Sequence, residues 1–418
     1  MANAKGDVLV IGGGVIGVCA AYYLAREGAA VTLVEKDDVC AGSSYGNAGL
    51  IVPSHSVPLA APGVLWQGLK WMLDPTSPFY IRPRLDPDLL GWLWRFRGYC
   101  TRGHLARAIP VLRDLGFASL VLYQELAGLD GLHSGFERRG VLAVFRTPGR
   151  LEEARHEAAL LEAHGIGTKL LDGPAARAME PSLGDAVVGA LSFPNDAHLV
   201  PDAFVTGLAR EAASLGVRIR RDTEVLAFET AGRRIRAVET TRGRLEAEQV
   251  VLAAGAWSPA LARTLDLRLP IQPAKGYSVT CQRPPEGPAM PLLLAEARVA
   301  VTPMGERLRF AGTLELAGLD LAIDRRRVEA VRRAPGRYLR LGDALPLVEI
   351  WRGLRPCTPD GLPMIGRSTR VENLILATGH AMIGISLGPV TGKLVAQLAT
   401  GAPTLLDLAP LRPERFDR

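Results

Sequence analysis

The chain has 418 residues, more than one hydrophobic core usually serves, so two packed domains are expected. Its composition, 48% hydrophobic and 22% charged, is that of an ordinary globular protein, and its formal charge of +6 is spread as single arginines and short clusters, which argues against a nucleic-acid partner. Cys19, Cys40, Cys100, Cys281 and Cys357 are widely separated and form no Cys-x-x-Cys or Cys/His pair, so no disulfide framework, zinc site, iron–sulfur cluster or other metal is expected, and a reducing, cytoplasmic compartment fits.

The first predicted element carries the most information. Val8, Leu9, Val10 and Ile11 form a β-rich run followed by Gly12-x-Gly14-x-x-Gly17. Ile16, Cys19, Ala20, Tyr23 and Leu24 then recur at helical spacing, Gly28 stops the helix, and Val31 to Val34 resume a buried strand that ends at Glu35. This order of strand, turn, helix, strand and acid is a dinucleotide-binding fingerprint. Gly12 permits the turn, Gly14 lets backbone amides approach a pyrophosphate, and Gly17 lets helix and strand pack closely, while Glu35 can bond a ribose hydroxyl. A glycine turn without a nucleotide is the competing reading, and the flanking pattern disfavours it. The strand starts too early for a signal peptide to precede it. Val8 to Ala25 and Leu374 to Gly392 approach the length of a membrane span, but their glycines and Pro389 favour buried strand, turn and helix.

Trp66, Trp71, Trp92 and Trp94 follow among prolines, with Arg95 and Arg97 beside Phe96. They mark either the start of a second domain, with the tryptophans in its core, or a surface patch able to rest on the inner face of a membrane as a peripheral contact. Leu105 to Leu126 and Leu151 to His164 read as amphipathic helices flanking a strand, Val141 to Phe145. After Pro201 a helix containing Phe204 and Leu215, the stop at Gly216 and a strand at Val217 to Ile219 announce the nucleotide domain again. Hairpin-like strands are expected around Val225 to Phe228, Ile235 to Thr240 and Arg244 to Glu248. Val250 to Gly255 reads as a buried strand ending in small residues, and Leu269 to about Leu347 as alternating strands of a substrate domain. The loop from Gly353 to Gly366, a strand from Leu374 to Thr378 and a helix from Pro389 to Leu398 complete the chain.

The expected fold is therefore α/β (α+β overall). A discontinuous Rossmann-like domain comprises 1–60, 195–262 and 347–418, and a substrate domain built on a large mixed or antiparallel sheet comprises 61–194 and 263–346. A nucleotide site completed near positions 255 and 380 wraps a ligand longer than a nicotinamide dinucleotide requires, which makes FAD the leading cofactor. There is no second GxGxxG for NAD(P)H, so electrons are expected from a small organic substrate.

Several segments carry a resemblance: Gly12 to Glu35, Gly46-Asn-Ala-Gly49, Ala60-Ala-Pro-Gly63, Leu69-Lys-Trp-Met72, Pro194-Asn-Asp196, Lys275-Gly-Tyr277, Gly353-Leu-Arg-Pro-Cys-Thr-Pro-Asp-Gly361 and Thr378-Gly-His380. Together they resemble the D-amino-acid dehydrogenase branch of the FAD-dependent amine and amino-acid oxidoreductases, related to glycine oxidase and sarcosine oxidase. Pro53-Ser-His55 and the ending His380 to Gly388 depart from the bacterial D-amino-acid dehydrogenase pattern and lean toward relatives associated with D-proline or hydroxyproline. The resemblance implies hydride transfer from Cα of a D-amino acid or cyclic imino acid to flavin N5, giving an imino acid and then a 2-oxo acid. Oxygen, a quinone or an electron-transfer partner would reoxidise the flavin. A glycine- or sarcosine-type amine oxidase, or a flavoprotein subunit of a larger complex, is the alternative.

The resemblance also assigns residues. Arg355 is expected to hold the substrate carboxylate, since a guanidinium grips a carboxylate through two parallel hydrogen bonds, and Arg352 is its competitor. The carboxylate-binding tyrosine of glycine oxidase falls on Val299, so Tyr277 or His55 is left to supply a further polar contact, with purely structural roles open for both. His380 is expected near the flavin ring, either tuning it or shaping its loop, and Asp360 is the other ionisable candidate. Cofactor contacts are expected from Gly12, Gly14, Val15, Ile16, Gly17, Glu35, Lys36, Ser43, Ser44, Asn47, Ala48, Gly49, Leu50, Val225, Ala254, Gly255, Trp257, Gly353, Gly379, His380, Met382, Ile383 and Gly384. Relatives that tether flavin covalently use a histidine or a cysteine at positions that are Gly46 and Gly353 here, so FAD is expected to be non-covalent.

Overall fold

The computed structural model describes residues 5–64, 68, 77–341 and 345–417; Trp66, Trp71 and the 69–72 segment lie outside them. One sheet has six strands in the order Met364–Arg367, Leu374–Thr378, Gln249–Leu252, Lys5–Ile11, Ala29–Val34, Arg218–Arg220. All neighbours are parallel except the first pair. Strand alternation explains how both faces are covered. Val8, Val10, Val31, Leu33, Val251 and Ile375 pack on the helices Val15–Arg26, Pro201–Ser214 and Gly384–Thr400. Leu9, Ile11, Val250, Leu252, Leu374 and Leu376 pack on Val225, Phe228, Ile235 and Val238 of a small antiparallel sheet, Val225–Ala231, Arg234–Thr240 and Gly243–Leu245.

The second sheet has nine strands. Leu347–Cys357, Gln272–Gln282, Arg307–Leu316, Val299–Met304, Leu292–Leu294, Val141–Phe145, Gly189–Phe193 and Lys169–Asp172 follow one another, and Phe79–Ile81 pairs with Arg307–Leu316. It is mixed, because Leu292–Leu294 runs parallel to Val141–Phe145.

Three expectations change. The strand Leu347–Cys357 was expected with the nucleotide-binding segments, but it pairs along its length with Gln272–Gln282, so the boundary at 347 falls inside the wrong sheet. The helix Arg102–Ala127, expected with the substrate segments, lays Leu112, Leu115 and Tyr123 into the core behind the six-stranded sheet. The last helix begins at Gly384, with Pro389 inside it. A proline cannot donate to the carbonyl four residues back, and here the Tyr123 hydroxyl donates to that carbonyl, on Ile385.

The aromatic-basic cluster divides. Trp92 and Phe96 are buried and stacked with centroids 5.0 Å apart, and the Trp92 indole N–H donates to the Cys357 carbonyl at 2.9 Å. Trp94 is 72% exposed, with the Arg97 guanidinium over its ring. Of its described members, Trp92 and Phe96 are core while Trp94, Arg95 and Arg97 are exposed, so the cluster as a set is not a surface patch.

Candidate active site

A cavity of about 1000 Å³ lies between the two sheets, at the upper end of ligand-sized cavities. Its nucleotide end is the turn after the first strand. Gly12 has φ of 113°, and a Cβ there would stand 2.5 Å from the Ala253 carbonyl oxygen; a Cβ on Gly17 would stand 1.8 Å from the Gly12 carbonyl oxygen. The helix opens on Gly14 with no side-chain cap and no acid in its first turn, leaving amide groups and the positive end of the helix dipole toward the cavity. Ser44 Oγ accepts from the Val15 amide at 2.9 Å. Glu35 closes the turn, Oε2 accepting from Gly13 N at 2.6 Å and Oε1 from Asp37 N at 3.1 Å. Lys36 Nζ sits 4.2 Å from the Trp257 ring centroid, and Val225, Ala254 and Gly255 line the same end.

Ile16, Ser43, Asn47, Ala48, Leu50, Gly353, His380, Met382, Ile383 and Gly384 also line the cavity. Gly17, Gly49 and Gly379 stand behind it, where a Cβ would strike Gly12, the Leu199 carbonyl and Thr358 respectively. The glycine turn, a helix start whose N-cap residue has no side chain and whose first turn has no acid, and the length of the cavity fit a dinucleotide with a second planar ring system, as FAD has.

The opposite wall is the strand Leu347–Cys357. Trp351, Gly353 and Arg355 share one face of its pleat, while Arg352, which also borders the cavity, lies on the other face and donates from Nε to the Leu321 carbonyl at 3.1 Å. The Arg355 guanidinium lies over Gly276, whose Cβ, if present, would be 2.2 Å from Nη1. Its Nη1 donates to the Thr313 carbonyl at 2.5 Å, and Thr313 holds φ of 69°, rare for a β-branched residue. Burial lowers the arginine's pKa from its ordinary value. Among the described residues no carboxylate faces it.

Tyr277 borders the same cavity but pairs with Arg352 on the face opposite Arg355, and its hydroxyl donates to Glu315 Oε2 at 3.1 Å and accepts from Asp324 N at 3.3 Å. Lys275 is on that face too, bonded to Asp320 at 3.1 Å and to the Ala322 carbonyl at 2.8 Å. His380 is buried with Nε2 2.9 Å from Thr391 Oγ1, and burial depresses its pKa to about 3. The ring is thereby tied to the last helix while still bordering the cavity. Asp360 is 2% exposed and held by Arg415 through two hydrogen bonds, a structural pair outside the proton chemistry. His55 does open on the cavity, and burial together with the charge of Arg298 lowers its pKa.

Two residues escaped the sequence reading. Trp351 lies against both Gly46 and Gly353, about 2 Å from where either Cβ would be, and so closes the gap between the two walls. Arg309 is fully buried and donates to the carbonyls of Tyr45 at 2.8 Å and Asn47 at 3.0 Å, tying the sheet to the loop before Leu50. Its signal was present: an arginine between Leu308 and Phe310 in a strand points to the face opposite theirs, where Arg307 also lies.

Residues 7–398 match the model of the FAD dependent oxidoreductase family. The chain is 36% identical to the D-amino acid dehydrogenase of Methylobacterium radiotolerans, over 94% of this chain and 96% of that one. It is 35% identical to the D-amino acid dehydrogenase of Granulibacter bethesdensis, over 98% and 99%. Glycine oxidase from Geobacillus kaustophilus superposes with a TM-score of 0.79 at 25% identity over 99% of both chains. L-proline dehydrogenase from P. horikoshii gives 0.79 at 22% identity over 99% of this chain and 98% of that one, a likeness of fold. With an intact fingerprint, a cradle suited to the flavin dinucleotide and matches along nearly the whole chain, the protein belongs to the FAD-dependent oxidoreductase family.

Proposed function

We propose that the chain oxidises a D-amino acid or a D-configured cyclic imino acid at Cα, yielding an imino acid that water converts to a 2-oxo acid. FAD, when bound, supplies the hydride acceptor. The observation that carries this reading is Arg355: a desolvated guanidinium, pinned on one side by the Thr313 carbonyl and turned into the cofactor cavity without a protein carboxylate among the described residues. A substrate carboxylate supplies the missing charge through paired hydrogen bonds and fixes the position of Cα. Gly276 and Gly353, directly opposite one another, keep that wall flat and close. With Asp360 held by Arg415, the ammonium proton of the substrate leaves to water, and no dedicated base is required. The D configuration rests on the names of the most similar relatives.

In this division of labour the six-stranded sheet carries the cofactor and the nine-stranded sheet covers the substrate. Glycine at positions 46 and 353 leaves no nucleophile there, so the FAD is non-covalent. Of the described residues, no helix is long and apolar enough to cross a membrane. The acceptor, a quinone, oxygen or an electron-transfer partner, is met at the surface, and the Trp94 face of its helix supplies a peripheral membrane contact.

Anaerobic bleaching of the flavin by a panel of D- and L-amino acids tests the reading. Bleaching by D-amino or D-imino acids but not by L-enantiomers is expected. Bleaching by glycine and sarcosine alone would favour an amine oxidase, and bleaching by none would favour a subunit that needs a partner. Acid precipitation should release the yellow chromophore into the supernatant.

A further inference from the structure

Two segments singled out in the sequence, Pro53-Ser-His55 and Pro194-Asn-Asp196, meet in space. Asp196 is fully buried, and its carboxylate grips Ser54 twice, accepting from the amide at 3.2 Å and from the hydroxyl at 2.5 Å. The rest of the turn is equally fixed. Ser386 Oγ accepts from the Val52 amide at 3.0 Å, the His55 amide donates to the Val52 carbonyl at 3.0 Å, and Ser56 Oγ donates to the Pro53 carbonyl at 2.7 Å. Pro53 also closes on Gly116, whose Cβ would stand 2.9 Å from its Cα. So much anchoring around one exposed side chain leaves that side chain with a defined place.

His55 is exposed, yet the surrounding protein desolvates it, so the surface it exposes is cavity surface. The walls around it are apolar: Val52, Val57, Phe145, Leu191 and Phe193. At the rim stand Arg150, Arg298, Glu153 and Glu157, two cations and two anions, so this end of the cavity has no net sign. The imidazole is itself kept neutral by burial and by Arg298. An apolar chamber with a neutral donor and acceptor on a rigid turn suits an uncharged polar group, because an unpaired polar group costs far more there than in water.

We propose that His55 is a specificity-determining residue that hydrogen-bonds an uncharged polar group on the substrate side chain, a hydroxyl or a carboxamide, and that Asp196 is a positioning residue acting on it through Ser54. This rests on the amino-acid oxidation proposed above and deepens it. Arg355 holds one end of the substrate and His55 reads the other.

The test is anaerobic stopped-flow flavin reduction with matched pairs: D-proline against the two 4-hydroxy-D-prolines, and D-leucine against D-asparagine. The wild type should favour the polar member of at least one pair by about tenfold or more in kcat/KM, the scale on which a site built for a hydroxyl rejects its absence. His55→Leu should erase that preference, and His55→Gln should restore part of it. Ser54→Ala should raise KM for the polar member with kcat kept, as expected of a loosened turn. A wild type without preference, or a preference that His55→Leu leaves unchanged, overturns this inference alone. Bleaching by none of the panel overturns the amino-acid reading and this inference with it.

Discussion

Arg352 and Arg355 are three residues apart, alike in charge and both on the cavity's border, but the pleat sends one to the Leu321 carbonyl and lays the other over Gly276 against the Thr313 carbonyl. Arg355→Ala should leave FAD bound and weaken substrate by about 2–4 kcal/mol, the order seen when one partner of a buried charge pair is removed. Arg355→Lys should recover only part, since an ammonium lacks the two-pronged geometry. Flavin reduction across substrate concentration measures both, and near-normal saturation in Arg355→Ala would move the carboxylate site elsewhere. Asp196 gives a second prediction. Burial raises its pKa from 3.8 to about 7, so the folded chain binds this proton more tightly than the unfolded one. The stability it contributes is present below the unfolded pKa and is lost as pH rises toward 7. Asp196→Asn does not titrate, so relative to wild type it should gain stability across that window, by up to about 1.4 kcal/mol per pH unit. Denaturant melts at pH 5, 6 and 7 check it, and a pH-independent difference would count against it. At this scale the sequence was readable where backbone geometry constrains residue type, as at Gly12. It was silent where partners come from distant strands, which is why Tyr277 looked available and Asp196 drew attention only as part of a motif.

Short-range pattern made most elements legible. The first strand, turn and helix, the strand Leu374–Thr378 and the small hairpin sheet stand where periodicity put them. Errors arose where a tertiary partner overrode a local signal. Pro389 read as a helix start because its missing N–H normally leaves an orphan carbonyl; the helix instead begins at Gly384, and the Tyr123 hydroxyl, from a helix far away in sequence, donates to that carbonyl. The strand Leu347–Cys357 has no local mark of the sheet it joins. Its Trp351 leads to a third prediction. Gly353→Ala or Gly46→Ala puts a methyl into the indole and displaces it, so reconstitution of the apoprotein should show FAD affinity reduced by about tenfold or more, roughly 1.4 kcal/mol. Gly91→Ala, with open space around it, is the control and should leave affinity unchanged. Equal affinity in all three would remove Trp351 from the cofactor wall.

Over the whole molecule, Leu90, Trp94 and Arg97 share one face of the helix Pro87–Tyr99, and Leu90 is 57% and Trp94 72% exposed. That face is the peripheral contact proposed above. The protein should cosediment with anionic vesicles, Trp94→Glu should abolish this, and dye or quinone reduction should rise with lipid; a response to lipid that Trp94→Glu does not alter would place the contact elsewhere. The paired order of the six-stranded sheet has another consequence. Lys5–Ile11, the first strand made, lies between Ala29–Val34 and Gln249–Leu252, and the latter is flanked in turn by Leu374–Thr378. In a chain emerging from the ribosome, the glycine turn therefore appears well before the Ala253 carbonyl that it packs against and before the helix Gly384–Thr400. Closing contacts so remote in sequence is slow. A nascent chain that stops before Gln249 should hold no flavin, and colour should appear only once the helix Gly384–Thr400 has emerged.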